Sequence, residues 1–256
     1  MGKIIAVTNQ KGGVGKTTTA VNLAAGLGMQ GKKVLLVDMD PQGNATSGLG
    51  INKREIEISC YDVLILGKTV EEATFKTPFK NVSIVPSHIS LAGAEIELVE
   101  MENRTMGLRA SLLKVKPKYD FVIIDCPPSL GLITVNALAA SDSILIPIQC
   151  EYYALEGLSQ LISTVRTVKR MYNSDIEVEG VLLTMYDSRL NLTVQVVDEV
   201  KKYFADKIFT TVVPRNVRLS EAPSFGQPIM YFDKASKGAE AYLSLSKEII
   251  KNNKKK

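Results

Sequence analysis

The residues with the clearest chemical content are Gln10-Lys11-Gly12-Gly13-Val14-Gly15-Lys16-Thr17-Thr18. Their glycines let backbone N–H groups turn inward around an anion, with no Cβ in the way. An apolar run, Ile4-Ile5-Ala6-Val7, precedes them and a helical pattern follows. Strand, glycine loop and helix in that order make a phosphate-binding loop, and the positive end of the helix adds to it. On this reading Lys16 reaches the β- and γ-phosphates of a nucleotide, and the Thr17 hydroxyl ligates Mg2+. The general pattern G-x-x-x-x-G-K-[ST] places its first glycine where this chain has Gln10. A second lysine, Lys11, opens the loop instead.

Two acidic clusters belong with such a loop. Asp38-Met39-Asp40-Pro41-Gln42-Gly43-Asn44 follows the second strand candidate. Alternation along an extended chain puts Asp38 and Asp40 on one side, where they could hold Mg2+ through water and orient an attacking water. Phe121-Val122-Ile123-Ile124-Asp125 is an apolar strand ending in a carboxylate, the arrangement that meets Mg2+ beside a γ-phosphate. Cys126-Pro127-Pro128 and Gly131 then read as a rigid turn into a segment able to sense that phosphate. Near the C-terminal end, Pro214–Ser224 reads as a polar loop running into a short helix. The Asn216 amide can meet a base edge, and Arg215 and Arg218 suit phosphates. Cys126 reads as a space-filling thiol and His88, the sole histidine, as a loop residue.

The elements that must position these residues are legible as apolar runs at Lys3–Asn9, Lys33–Asp38, Asn81–Pro86, Asp120–Asp125, Ser143–Gln149 and Glu179–Met185, with a shorter one near Thr210–Val213. Most are continuous rather than alternating, as parallel strands covered on both faces require. Ala20, Leu23, Ala24 and Leu27 form a helical stripe, and Gly31 supplies its stop. Strands alternating with helices predict an α/β protein: a doubly wound, mostly parallel sheet with helices on both faces, of P-loop NTPase type. No linker or repeat divides residues 1–256, so one ATPase domain is expected, with a frayed basic tail at 252–256.

The 256 residues are 45% hydrophobic and 23% charged, as in an ordinary folded protein. No apolar run approaches the ~18 residues of a membrane span. The three cysteines, Cys60, Cys126 and Cys150, form no C-x-x-C pair, which fits a reduced, cytoplasmic compartment. The net charge of +4 is uneven. Residues 161–256 carry 16 Lys/Arg against 11 Asp/Glu, while residues 1–160 carry 15 against 16. A basic C-terminal third points mildly to a polyanion. Arg189, Lys201, Lys202 and Arg218 could form a basic strip, or each could make an ordinary surface ion pair with an acid such as Asp187 or Glu221.

The Lys11–Thr18 loop is the deviant Walker A motif, and it resembles that of ParA, MinD and the nitrogenase iron protein. Asn9-Gln10, Asp38–Thr46, Asp125–Leu130, Glu151–Gly157 and Pro214–Ser224 together resemble the chromosomal, Soj-type ParA family over nearly the whole chain. The resemblance implies an ATPase that dimerises face to face around two ATP molecules. Lys11 would reach across to the partner's phosphates, Asp40 would position the hydrolytic water, and Thr17 would bind Mg2+. Pro214 and Asn216 would contact adenine, and Arg189 and Arg218 would hold DNA without sequence preference. It further implies slow hydrolysis stimulated by a ParB-type centromere-binding protein, regulation of the initiator DnaA, and a place on the nucleoid. Because the chain begins at its first strand, no helix-turn-helix and no operator-specific repression are expected.

Rival classes share parts of this pattern. A MinD-like membrane switch would need a lipid-entering amphipathic C-terminal helix, whereas Leu243, Leu245, Ile249 and Ile250 can pack on the domain. An iron–sulfur carrier would need a second suitably spaced cysteine beside Cys126. A dethiobiotin-synthetase-like ligase would need an acceptor pocket, and Lys11 argues against it.

Overall fold

Strands form where the apolar runs alternate between two buried layers. The computed structural model describes residues 2–150 and 154–254. Its strands are β1 (Lys3–Val7), β2 (Val34–Asp38), β3 (Phe75–Lys76), β4 (Val82–Val85), β5 (Phe121–Asp125), β6 (Ser143–Gln149) and β7 (Glu177–Thr184). They form one seven-stranded sheet in the order β3-β4-β2-β5-β1-β6-β7. Every pairing is parallel except β3 with β4.

The helices are α1 (Lys16–Met29), α2 (Asn44–Gly48), α3 (Cys60–Leu64), α4 (Ala94–Glu100), α5 (Gly107–Val115), α6 (Leu132–Ala140), α7 (Ala154–Met171), α8 (Asn191–Phe204), α9 (Val217–Glu221), α10 (Ile229–Phe232) and α11 (Lys237–Lys254). They cover both faces. Ile4, Ala6, Leu35, Val37, Val122 and Ile124 point into a core shared with α4, α5 and α6. Ile5, Val7, Val34, Leu36, Phe121 and Ile123 point into the other, shared with α1, α10 and α11. Burying one such side chain fully contributes about 1.5–3 kcal/mol, so both layers hold the sheet. The expected stripe of α1 is buried, and Gly31 lies just past its end with φ +83°.

Two expectations are corrected. The stretch Thr210–Val213 is not a strand of the sheet. It runs beside β7, with Phe209 N–H donating to Val181 O at 3.0 Å and Val213 N–H to Leu183 O at 2.9 Å. Thr210 and Thr211 instead donate their N–H groups to the Glu248 carboxylate, at 2.8 and 3.0 Å, so they are lost to a ladder. The tail expected to fray from Asn252 is helical through Lys254, because Asn253 Nδ2 donates to Glu179 Oε1 at 2.7 Å. The apolar residues of α11 face the protein: Leu245 and Ile249 are buried, and Leu243 and Ile250 pack against the same core. No helix of the described residues is long and apolar enough to cross a membrane. Residues Glu151–Tyr153 of the quoted Glu151–Gly157 motif lie outside the described residues.

Candidate functional site

Sheet order decides what meets at the site. β5 lies between β1 and β2, with Val7 opposite Asp125 and Asp125 opposite Asp38. The glycine loop leaves the end of β1, so the loop and both aspartates open at one edge.

The loop is built for an anion. Gly13 (φ +75°) and Gly15 (φ +85°) lie in the left-handed region that favours glycine. Gly15 is the N-cap of α1 and supplies no side-chain cap, so the first N–H groups of the helix are left for a ligand. Asn9 holds the loop to the sheet: its Nδ2 donates to Pro147 O at 2.8 Å and its Oδ1 accepts Lys11 N–H at 3.0 Å. Thr184 Oγ1 donates to Val14 O at 2.9 Å. Lys16 Nζ folds back over the loop and donates to Lys11 O at 2.8 Å. The Lys16 side chain is almost buried, at 7% exposure. Burial lowers its pKa, against the opposing pull of neighbours that include Asp125 and Asp40. Lys11, Thr17 and Thr18 are half-buried, while Gly12 and Gly13 are exposed at the mouth.

The three aspartates have different jobs. Asp38 is spent on the fold: Oδ2 accepts Thr46 N–H at 2.8 Å and Thr46 Oγ1–H at 2.7 Å, and Oδ1 accepts Asp40 N–H at 3.2 Å. Thr46 Oγ1 in turn accepts Ser87 N–H at 3.0 Å. Burial pushes the Asp38 carboxyl up to about 6, although the bonds from Thr46 and Asp40 oppose it. Asp38 therefore helps set the course of residues 40–46 through bonds to both ends of that segment. Asp40 is 8% exposed and accepts Gln42 N–H at 3.0 Å through Oδ1. Asp125 is buried, and neither of its carboxylate oxygens has a hydrogen-bond partner among the described residues. Burial and then the Asp38 charge push its pKa well up, while Thr17 and Lys16 pull the other way.

A buried, unpartnered carboxylate is costly and calls for a ligand. Asp125 with the Thr17 hydroxyl fits Mg2+, which keeps several waters and takes few protein ligands plus phosphate oxygens. Among the described residues no cluster of three or more His, Cys, Asp or Glu side chains forms a metal cage.

Beside the loop lies a cleft of about 390 Å³, lined by Gly15, Thr18, Met185, Pro214, Asn216 and Tyr242 among others. Pro214 and Asn216 therefore share this cleft with Gly15 and Thr18 of the loop. Asn216 also caps α9, its Oδ1 accepting Leu219 N–H at 3.3 Å, which leaves its Nδ2 to donate.

The basic residues are placed less decisively. Arg189 grips Asp187 with Nε–Oδ1 at 2.9 Å and Nη2–Oδ2 at 2.6 Å. That contact, with a smaller pull from Arg215, holds the Asp187 carboxyl at about 2. Arg218 pairs with Glu221 at 2.8 Å and Asp233 at 3.4 Å. Lys201 pairs with Asp198 at 3.5 Å, and Lys202 with Glu199. Arg189 thus pairs with Asp187 and Arg215 adds only a small electrostatic pull, while Lys201 and Lys202 stand about 15 Å from the start of α8 at ~1.5 Å per residue. Cys126 is buried, and burial raises its thiol pKa, as a space-filling residue's would be. His88 caps a turn through Ser90.

Sequence reasoning gave no role to Asn9, Thr46 or Thr184. Asn9 bridges Pro147 and Lys11, Thr46 bridges Asp38 and Ser87, and Thr184 bonds Val14, and no local pattern marks the long-range bonds among these.

Sheet order, glycine loop and acidic strand ends define a P-loop ATPase of the ParA/MinD kind. A family model described as an AAA domain matches residues 2–178. The sequence is 62% identical over 252 residues to the sporulation initiation inhibitor protein Soj of Bacillus subtilis (strain 168), covering 98% of this chain and 100% of that protein. It is 55% identical over 253 residues to the chromosome partitioning protein ParA of Myxococcus xanthus (strain DK1622), covering 99% and 89%. The chain belongs to the Soj/ParA family of chromosome-partitioning ATPases. Among solved structures it resembles a cobyrinic acid a,c-diamide synthase of Mycobacterium smegmatis with bound ADP and magnesium, with TM-score 0.85, 36% identity, and 99% and 96% of the two chains covered. It also resembles the cell division ATPase MinD of Pyrococcus furiosus, with TM-score 0.81, 28% identity, and 98% and 100% covered.

Proposed function

We propose that this protein is an ATP-driven dimer switch that binds duplex DNA without sequence preference as its ATP dimer and acts in chromosome partitioning and replication-initiation control. The observation that carries this reading is the bare Asp125 carboxylate beside the Lys16-covered glycine loop, in a chain 62% identical to Soj. Mg2+ with ATP supplies charge neutralisation at the β- and γ-phosphates. The Gly12–Thr18 backbone and Lys16 hold the phosphates, while Thr17, Asp125 and Asp40 hold the metal or its waters. Pro214 and Asn216 receive the base, and Asp40 orients the attacking water. Lys11 at the loop mouth reaches the partner protomer's phosphates, where a cation offsets charge that develops in transfer. Without triphosphate, two facing lysine loops repel, so dimerisation follows ATP.

Arg189, Lys201, Lys202, Arg215 and Arg218 supply the DNA surface, the first three and Arg218 by exchanging their acidic partners for backbone phosphates. A ParB-type protein stimulates a slow hydrolysis that splits the dimer and releases DNA, and the initiator DnaA is a further partner. The protein then works in the cytoplasm on the nucleoid, as one ATPase domain.

The test is binding to random-sequence duplex DNA with ATP, ADP or no nucleotide at two salt concentrations, using Asp40→Ala protein to hold the ATP state. ATP-specific binding that weakens with salt is expected. A formed ATP dimer that binds no DNA would refute the DNA surface while leaving the switch, and liposomes would then be tried.

A further inference from the structure

Glu95 lies on α4, outside every residue used above, yet its carboxylate reaches the first turn of α6. Its Oε2 accepts Leu132 N–H at 2.8 Å and its Oε1 accepts Ile133 N–H at 3.2 Å. These bonds satisfy donors that a helix start leaves orphaned, and they set a negative charge at the positive end of the helix. The cap has to come from elsewhere, because the local N-cap is Gly131 with no side chain. A Cβ at Gly131 would lie 2.4 Å from Glu95 Oε1, so the glycine is what lets the carboxylate in.

The consequence lies upstream. The connection Cys126–Gly131 joins Asp125 to α6. Thr134 Oγ1 donates to Ser129 O at 2.7 Å, tying that connection to the helix. One end of the connection is therefore fixed by β5 and the other by a carboxylate borrowed from α4. α4 itself is lightly held. Only Ala94 and Leu98 of its residues are buried, while Ile96 and Val99 face solvent at 76% and 56% exposure.

We infer that Glu95 is a positioning residue for ATP hydrolysis. By clasping the start of α6 it fixes the Cys126–Gly131 connection behind Asp125, and it governs turnover without touching nucleotide. The inference rests on the proposed reading of Asp125 and this connection as the γ-phosphate side of the site.

The experiment compares full-length wild type, Glu95→Ala, Glu95→Gln and Asp125→Asn, measuring fluorescent-ATP affinity, thermal melting, and kcat and KM for ATP with Mg2+. Glu95→Ala is expected to keep affinity and KM within twofold and to lose kcat at least fivefold. Glu95→Gln keeps an acceptor oxygen and lacks the charge, so it is expected to recover part of that kcat. If Glu95→Ala does not fold, the kcat-to-KM split of Glu95→Gln decides alone. A kcat within twofold of wild type, with only the melting temperature lowered, would make Glu95 a structural cap and overturn the inference. Asp125→Asn separates the failures. If it retains Mg2+-dependent turnover, the reading of the site is at fault; if it is dead while Glu95→Ala is normal, only the role of Glu95 fails.

Discussion

Asp38 and Asp125 end neighbouring parallel strands opposite one another, yet Asp38 accepts three hydrogen bonds while neither Asp125 oxygen has a partner among the described residues. The same residue type thereby serves two ends. Asp38 organises the segment that carries Asp40, and Asp125 is the carboxylate proposed above to meet a cation. Substituting each by asparagine separates the roles. Asp38→Asn removes an acceptor from Thr46 or Asp40 and strands a buried donor, at about 1–3 kcal/mol, so nucleotide-free protein melts lower. Asp125→Asn removes a buried carboxylate whose desolvation outweighs the pull of Thr17 and Lys16, so the nucleotide-free protein melts no lower than wild type while Mg2+-dependent tightening of ATP binding is lost. Thermal melting with and without ATP and Mg2+ reads both. Identical behaviour of the two variants would refute the division.

The parallel strands, the first helix and the phosphate loop were legible in the sequence because each is encoded locally, by a continuous apolar run, a 3.6-residue stripe or glycines at a forced backbone geometry. What was not legible depends on partners far away in the chain. β3 has only Phe75 and Lys76, too few residues for a period. Thr210–Val213 has the apolar and β-branched look of a strand, but Glu248 on α11 takes the donors of Thr210 and Thr211. Asp38 and Asp40 were expected to act together because alternation puts them on one side, and the bonds that Asp38 accepts from Thr46, eight residues on, had no local signal. For Arg189, Lys201, Lys202 and Arg218, sequence physics left a DNA strip and surface ion pairs equally open, and each is in fact ion-paired.

Glu179 ties four elements together. It accepts from Lys3 of β1 at 2.6 Å, Ser143 of β6 at 2.7 Å and Asn253 of α11 at 2.7 Å, with its side chain 5% exposed. Burial raises its pKa, but the bonds from Lys3, Ser143 and Asn253 outweigh that and hold it below the ordinary 4.5. A depressed carboxylate contributes stability above its unfolded pKa and loses it as pH falls through the folded value. The wild-type protein is therefore expected to lose this contribution below about pH 4.5. Glu179→Gln leaves Lys3 unpaired and is expected to cost about 3 kcal/mol at pH 7, with the gap to wild type closing in acid. Urea unfolding at several pH values measures it, and a gap constant with pH would argue against the ion pair as its source.

Lys11 and Lys16 open and close the same loop, and Lys16 reaches the Lys11 carbonyl rather than its ammonium. The two lysines thus stand at opposite ends of the loop, and different tasks are proposed for them. Lys16→Ala is expected to lose nucleotide binding. Lys11→Ala is expected to bind ATP within a few-fold of wild type yet remain monomeric. Light scattering behind size exclusion, with an ATP analogue that resists hydrolysis, gives the mass directly. A dimer of normal stability in Lys11→Ala would remove the reach across the interface.

Arg189 is 86% exposed on its side chain and gripped by Asp187, so its engagement with DNA competes with that pair. Two substitutions should then move affinity in opposite directions. Arg189→Ala is expected to keep the ATP dimer and lower affinity for random duplex, with the slope of log affinity against log salt reduced by about two for the dimer, one contact per protomer. Asp187→Asn frees the guanidinium and removes a negative charge from the same surface, so affinity rises at low salt and the gain fades as salt screens it. An Arg189 that served only its surface pair would leave DNA affinity unchanged in both variants, and the strip would then have to rest on Arg215, Arg218, Lys201 and Lys202.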